Sequence, residues 1–255
     1  MNAAMPALET RQLNVRFGGV HALDDVSISV PSGAMTGLIG PNGAGKSTLI
    51  DAVTGFLPGR ATGTVLLGGE DISALAPHRR AHLGLGRTWQ SQELFEDITV
   101  IENLEIAARQ LTMGRAIGSL LRRPTVDPRV AEVMDLLGLS SVAEREPQSL
   151  TQRERKLVGV ARAVVSRPRL ALLDEPAAGL DRVETDWLAE RLHRLVESGV
   201  PILLVDHDMG LVLEHCTSII VVDQGRLLTY GTPAEVRSNP DVIRAYLGSS
   251  RGERT

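Results

Sequence analysis

The stretch Met35-Thr36-Gly37-Leu38-Ile39-Gly40-Pro41-Asn42-Gly43-Ala44-Gly45-Lys46-Ser47-Thr48 decides the fold of this chain. Met35 to Ile39 is a short apolar run that reads as a buried strand, and a helix starts near Lys46. Between them Gly40 to Thr48 holds a glycine, four residues, then Gly-Lys-Ser/Thr, in the strand-to-helix setting the phosphate-loop pattern requires. In such a loop the backbone N–H groups and the helix N-terminus wrap phosphates. Lys46 is expected to reach the β and γ phosphates, and Ser47 can ligate Mg²⁺. Gly43 and Gly45 are expected to leave room where a Cβ would hold the phosphates off. A chance glycine-rich turn would match the pattern in only about one such chain per hundred.

A second run bears on the same site. Leu170-Ala171-Leu172-Leu173 reads as a buried strand that ends on two carboxylates, Asp174 and Glu175. Asp174 would hold Mg²⁺ indirectly, and Glu175 could polarise an attacking water. Alone, two acids can simply cap a strand end. Behind a phosphate loop they read as the catalytic half of a nucleotide site. Two more polar residues follow strand-like runs: Gln90 after Leu85–Trp89, and His207 after Pro201–Val205. Ligands of open α/β sheets bind at the carboxyl ends of the strands. Gln90 and His207 are therefore expected to converge with the loop on one γ phosphate.

Outward from these motifs, strands and helices alternate. Val26–Val30 alternates apolar residues with serine, Thr64–Leu67 runs into the turn Gly68-Gly69, and Ile219–Val222 is a late apolar run. Helical spacing marks Thr99–Leu111, Pro128–Leu137, Thr151–Val165 and Val183–Val196, the last with Trp187 on its core face. The pattern fades from Gly114 to Asp127, where Arg122-Arg123-Pro124 breaks any regular element. Apolar strands separated by helices imply an α/β fold, with a mainly parallel sheet covered on both faces. The alternating early strands add an antiparallel edge. Residues 91–167 read as a helical lobe and 233–248 as a helical tail, within one domain spanning 1–255.

Composition removes other classes. The charge sum of 27 cations against 31 anions is −4, which argues against a grip on a nucleic-acid backbone; no nucleic-acid partner is expected. The lone Cys216 has no disulfide partner and reads as a packed thiol. Met1 to Thr10 has neither the basic start nor the apolar core of a signal peptide. The longest apolar runs fall far short of the ~20 residues of a membrane span. The expectation is a cytosolic chain, unless a partner holds it at a membrane.

These motifs together resemble the ATP-binding cassette (ABC) ATPases over nearly the whole length. The resemblance implies ATP and Mg²⁺ as cofactors and a phosphate-loop NTPase fold of the cassette type. It implies that Phe17 stacks on adenine, although an ordinary strand-end aromatic fits that position too. It makes Gln90 the glutamine-loop residue and a metal contact beside Ser47 and Asp174. It makes His207 the switch histidine, and Ala178-Gly179-Leu180-Asp181 the segment after the acidic pair, the D-loop. Finer stretches resemble the importers of branched-chain and other hydrophobic amino acids. They include Phe17-Gly18-Gly19, Gly86-Arg87-Thr88-Trp89-Gln90, the insertion around 112–130, and the tail from Asn239 to Gly248. Urea importers and a lipopolysaccharide-export ATPase share parts of that tail.

One departure stands out. Where the family carries Leu-Ser-Gly-Gly-Gln, this chain has Leu150-Thr151-Gln152-Arg153-Glu154. In the family this signature caps the γ phosphate held by the opposite subunit. Gln152 and Arg153 add side chains where glycines allow contact, and Glu154 adds negative charge; Arg153 could compensate as a phosphate partner. The expected assembly is a heterodimer with a second cassette, two membrane permeases and a substrate-binding protein, on the cytoplasmic face of the membrane. Rival readings are a cassette for urea or amide uptake, one for lipid export, a non-transport cassette protein, and a regulatory subunit with negligible hydrolysis.

Overall fold

The computed structural model describes residues 5–88, 94–109 and 127–249. Gln90, Trp89, the Arg122-Arg123 pair and most of the expected insertion lie outside them.

In chain order the elements are β1 (Leu8–Phe17), β2 (Val20–Val30), β3 (Met35–Ile39), α1 (Lys46–Thr54), β4 (Ala61–Leu67), β5 (Glu70–Asp71), α2 (Pro77–His82) and β6 (Leu85–Arg87). Then follow α3 (Val100–Arg109), α4 (Pro128–Leu137), α5 (Gln152–Val164), β7 (Leu170–Asp174), α6 (Arg182–Glu197) and β8 (Ile202–Val205). The chain continues through α7 (Met209–His215), β9 (Ser218–Asp223), β10 (Arg226–Gly231), α8 (Pro233–Ser238) and α9 (Pro240–Ser249).

A six-stranded sheet runs in the order β10-β9-β3-β8-β7-β6, parallel except for its edge strand β10. The early alternating strands do not edge this sheet. They form a second, antiparallel sheet in the order β2-β1-β4-β5. Local alternation forecasts half-burial but not which strand pairs with which.

The period of two sorts the central strands between two cores. Met35 and Ile39 of β3, Ala171 and Leu173 of β7, Ile202 and Leu204 of β8, and Ile219 and Val221 of β9 face a cluster shared with α3 to α7. Their neighbours Leu38, Leu172, Leu203 and Val222 face the opposite cluster, with α1 and the antiparallel sheet. Burial on both faces explains why these strands read as continuous apolar runs. Val100 and Leu104 of α3, Val133 and Leu137 of α4, and Leu157 and Val164 of α5 join the first cluster without a break. Truncating a fully buried residue such as Ile39 to alanine would cost about 2–5 kcal/mol. It would also loosen the support directly beneath Gly40.

The apolar face expected of Val183–Val196 carries Leu188, Leu192 and Leu195 into the core. Trp187 differs from expectation: it is only partly buried, and guanidinium groups of Arg191 and Arg153 lie 3.4 and 4.4 Å from its ring centroid. Cys216 is buried, and burial pushes its thiol up to about 12, so it is a packed, unreactive group at neutral pH.

Candidate functional site

The phosphate loop leaves β3 at Gly40 and enters α1 at Lys46. α1 has no side-chain cap: its N-cap is Gly45, at φ 104°, so the first N–H groups of the helix have no protein acceptor from the cap. A Cβ on Gly45 would stand 2.9 Å from the carbonyl oxygen of Ala22 and 3.0 Å from Leu23 Cδ2. The packing of β2, as well as room for phosphates, therefore requires glycine here. At Gly43 a Cβ would meet nothing within 4 Å, as expected of a residue facing a ligand space. Lys46 Nζ donates to the carbonyl oxygens of Gly40 and Pro41, at 2.7 and 3.1 Å. Burial pushes the Lys46 ammonium down, while Glu175 and Asp174 pull it back up.

Asn42, Gly43, Ala44, Gly45, Lys46, Ser47, Thr48 and Glu175 line one cleft of about 480 Å³, with Val20, His21 and Ala22 of β2 and the turn Gln224-Gly225. The cleft opens at the carboxyl ends of the strands, because β3, β7, β8 and β9 run parallel. That is where ligand sites of open α/β sheets lie.

Asp174 ends β7 and is 7% exposed. Its N–H donates to Thr88 Oγ1 at 2.9 Å, and Arg87 Nη2 stands 3.8 Å from its carboxylate. Burial pushes the Asp174 carboxyl up; Arg87 pulls it down, and Glu175, Asp51 and Asp206 push further up. This surplus of carboxylate charge in a partly desolvated place fits a divalent cation. Glu175 adopts φ 49°, uncommon for a residue with a side chain, and its N–H donates to the Val205 carbonyl at 2.7 Å. Such conformations cost about 1–3 kcal/mol and cluster at functional sites. His207 is exposed, with Nδ1 3.8 Å from Glu175 Oε1 and 3.7 Å from Asp206 Oδ1. The structure thus brings Lys46, Asp174, Glu175 and His207 together; Gln90 lies outside the described residues.

Phe17 sits at the end of β1, paired with Val20, and is 37% exposed. The Arg60 guanidinium lies 5.1 Å from its ring centroid. Phe17 is thus next to, rather than within, the lining of the cleft.

The signature segment begins at the buried Leu150 and caps α5. Thr151 and Glu154 form a reciprocal capping box: Glu154 Oε2 accepts from the Thr151 N–H at 2.7 Å and from its hydroxyl at 2.9 Å. The Glu154 carboxylate is turned back onto its own chain. Arg153 is stacked on Trp187, and a Cβ on Gly179 would stand 2.8 Å from Gln152 Nε2. The side chains in place of the two glycines are therefore packed against α6 and against the segment Ala178-Gly179-Leu180-Asp181. Asp181 in turn caps α6, accepting from the Glu184 N–H at 2.9 Å.

Sequence reasoning missed four participants. Arg87 bonds Asp51 at 2.7 Å while facing Asp174. Its position just before the expected Gln90 strand end was the available signal. Asp206 and Lys156 are buried beside Glu175 and His207. Tyr246 of α9 takes a hydrogen bond from the Gly40 backbone, and burial pushes its phenol up to about 12.

Comparison with known proteins adds the lineage. A family model described as ABC transporter matches residues 23–178, well over half of the chain. The chain belongs to the ABC transporter family. With its phosphate loop intact, it is an ATP hydrolase of that family. A second model, described as branched-chain amino acid ATP-binding cassette transporter, matches residues 226–251. The chain is 38% identical to the high-affinity branched-chain amino acid transport ATP-binding protein BraF of Pseudomonas aeruginosa, over 96% of this chain and 99% of that one. It is 38% identical to LivG of Escherichia coli, which carries the same description, over 97% and 100%. It is 35% identical to the Escherichia coli lipopolysaccharide export system ATP-binding protein LptB, over 96% and 98%. Among solved structures, the ADP conformation of MJ1267, an ATP-binding cassette of an ABC transporter, superposes with a TM-score of 0.82 at 32% identity, covering 96% of this chain and 99% of that one. No helix among the described residues is long and apolar enough to cross a membrane.

Proposed function

We propose that this ABC ATPase drives an importer of branched-chain or other hydrophobic amino acids. The observation that carries the substrate class is the end-to-end likeness to BraF and LivG, together with the tail match at 226–251. The likeness to LptB keeps lipid export as the competing reading. The working unit is one cassette domain with a helical lobe (about 91–167) and a tail (about 233–248). It acts on the cytoplasmic face of the membrane, held by two permeases, beside a second cassette and with a substrate-binding protein.

In this reading the loop Gly40–Thr48 holds the ATP phosphates, with Lys46 turning from the Gly40 and Pro41 carbonyls to the β and γ oxygens. Ser47, Asp174 and Gln90 hold Mg²⁺, which neutralises phosphate charge when bound. Phe17 offers a ring face to adenine. Glu175 accepts a proton from the attacking water, and His207 orients the γ phosphate beside it. Leu150 to Glu154 and the segment Ala178 to Asp181 act across the dimer. Purified permeases and binding protein, reconstituted with this chain in vesicles, provide the test. ATP-dependent uptake of labelled leucine supports the reading; ATP hydrolysis stimulated only by lipopolysaccharide-type lipids would replace it.

A further inference from the structure

Two buried ionisable groups behind the catalytic residues are not used by the reaction as described. Asp206 follows β8, is 2% exposed, and precedes His207. Its Oδ1 accepts the Asp208 N–H at 3.0 Å and stands 3.7 Å from His207 Nδ1. Its other oxygen, Oδ2, is buried and meets no hydrogen-bond donor at bonding geometry among the described residues, although the Ala177 and His207 N–H groups also face the carboxylate. A native structure rarely leaves such an atom unused. Lys156, on α5, is 8% exposed, and no hydrogen bond or ion pair holds its ammonium group among the described residues. The carboxylates within its electrostatic reach are Asp206 first and Glu175 second. Burial pushes the Lys156 ammonium down while Asp206 and Glu175 pull it back up; burial pushes the Asp206 carboxyl up while the Asp208, Ala177 and His207 N–H groups and the His207 ring pull it down.

We propose that Lys156 is a positioning residue of the ATPase, which closes on Asp206 Oδ2 and so fixes the switch segment carrying His207 from the signature helix α5. The inference rests on the roles given above to His207 and Glu175. Its geometry gives it a direction. Lys156 lies five residues beyond the cap Thr151, within the first turns of α5, so the segment offered to the opposite nucleotide is tied to the residue facing the chain's own nucleotide. Asp206 meanwhile holds the start of α7 through Asp208, whose own carboxylate accepts from the Gly210 and Leu211 N–H groups. A closed Lys156–Asp206 pair therefore restrains His207 from both sides.

The test is a double-mutant cycle on the full-length chain in its assembled transporter, reading kcat, ATP affinity and melting temperature. Lys156→Met is expected to lower kcat about tenfold while ATP Kd stays within about twofold, and Lys156→Arg to restore most of the loss. Asp206→Asn is expected to lower kcat similarly, and the double variant to fall no lower than the worse single. A lysine that only supports folding would shift the melting temperature and leave kcat of the folded fraction unchanged. That result, or losses that multiply in the double variant, would overturn the proposal. Should Lys156→Met not fold, Lys156→Gln with Asp206→Asn completes the same cycle. Parent-rate turnover by Glu175→Gln and His207→Ala would overturn the catalytic reading itself. Loss of turnover there, with multiplying effects at Lys156 and Asp206, would remove this inference alone.

Discussion

The guanidinium of Arg153 lies 4.4 Å from the ring centroid of Trp187, so the largest side chain in the altered signature is packed against α6 of its own chain. A second cation, Arg191, lies on the same indole at 3.4 Å and donates to the Trp187 carbonyl. Cation–π contacts of this kind contribute about 0.5–2 kcal/mol each. To act on a partner's phosphate, Arg153 must leave this ring. The compensation that a phosphate-binding arginine could supply is therefore opposed by its own chain.

Restoring Ser-Gly-Gly-Gln at Thr151–Glu154 should accordingly raise ATP hydrolysis by the chain when it is purified alone. The lost γ-phosphate contacts correspond to roughly 2–4 kcal/mol, or ~30- to 1000-fold in rate. Steady-state phosphate release measures it. Brisk cooperative hydrolysis by the unmodified chain alone would contradict the prediction. So would an unchanged rate in a restored chain that is folded and dimerises with ATP.

Lys46→Ala should abolish most ATP binding. The loop carbonyls of Gly40 and Pro41 now occupy the ammonium, and no other lysine or arginine lines the cleft among the described residues. Loss of one charge-assisted contact set costs about 1.5–3 kcal/mol, or roughly 10- to 150-fold in Kd. Fluorescent-nucleotide titration checks it, and parent-like affinity would move the phosphates elsewhere.

Phe17→Ala should weaken ATP and GTP alike by about 2- to 10-fold, because ring stacking distinguishes purines poorly. Arg60 already lies on this ring, so a stacked base has to share or displace it. Unchanged affinity for both nucleotides would make Phe17 an ordinary partner of Arg60.

Glu154 gives a pH-dependent contribution to stability. Burial pushes its carboxyl up, but the Thr151 N–H and hydroxyl, with Arg145 and Arg153 nearby, together hold it below its usual 4.5. A carboxyl lowered on folding stabilises fully above its unfolded value and loses that contribution as pH falls through the folded one. Glu154→Gln keeps an acceptor for the cap. Its denaturant stability should therefore lie below the parent's at pH 7, fall less steeply below about pH 4.5, and converge with the parent's there. Identical acid limbs for the two chains would show that the capping box does not carry this dependence.

Much of the site was legible because its chemistry is local. The loop from Gly40 to Thr48 and the pair Asp174-Glu175 are contiguous, and strand polarity carries them to one end of the sheet. The continuous apolar runs of β3, β7, β8 and β9 marked buried strands for the same reason. Pairings between distant segments were not legible. Nothing near Val26–Val30 announces a separate antiparallel sheet, since strand partners are chosen by tertiary packing. Trp187 read as core because its helical neighbours Leu188 and Leu192 are; Arg191 is one turn away, but Arg153 comes from another helix. Lys156 went unmarked because nothing local in the sequence shows that α5 buries this polar side chain.

The central claim is that Glu175, held at φ 49° beside Asp174 and 3.8 Å from His207, completes an ATP-hydrolysing site. The most direct measurement compares γ-phosphate release from bound ATP in the parent and in Glu175→Gln within the assembled transporter. The account predicts ATP affinity within about twofold and a rate lower by about 10²- to 10⁴-fold, because an amide cannot take the proton from water. Parent-rate release by Glu175→Gln would contradict it.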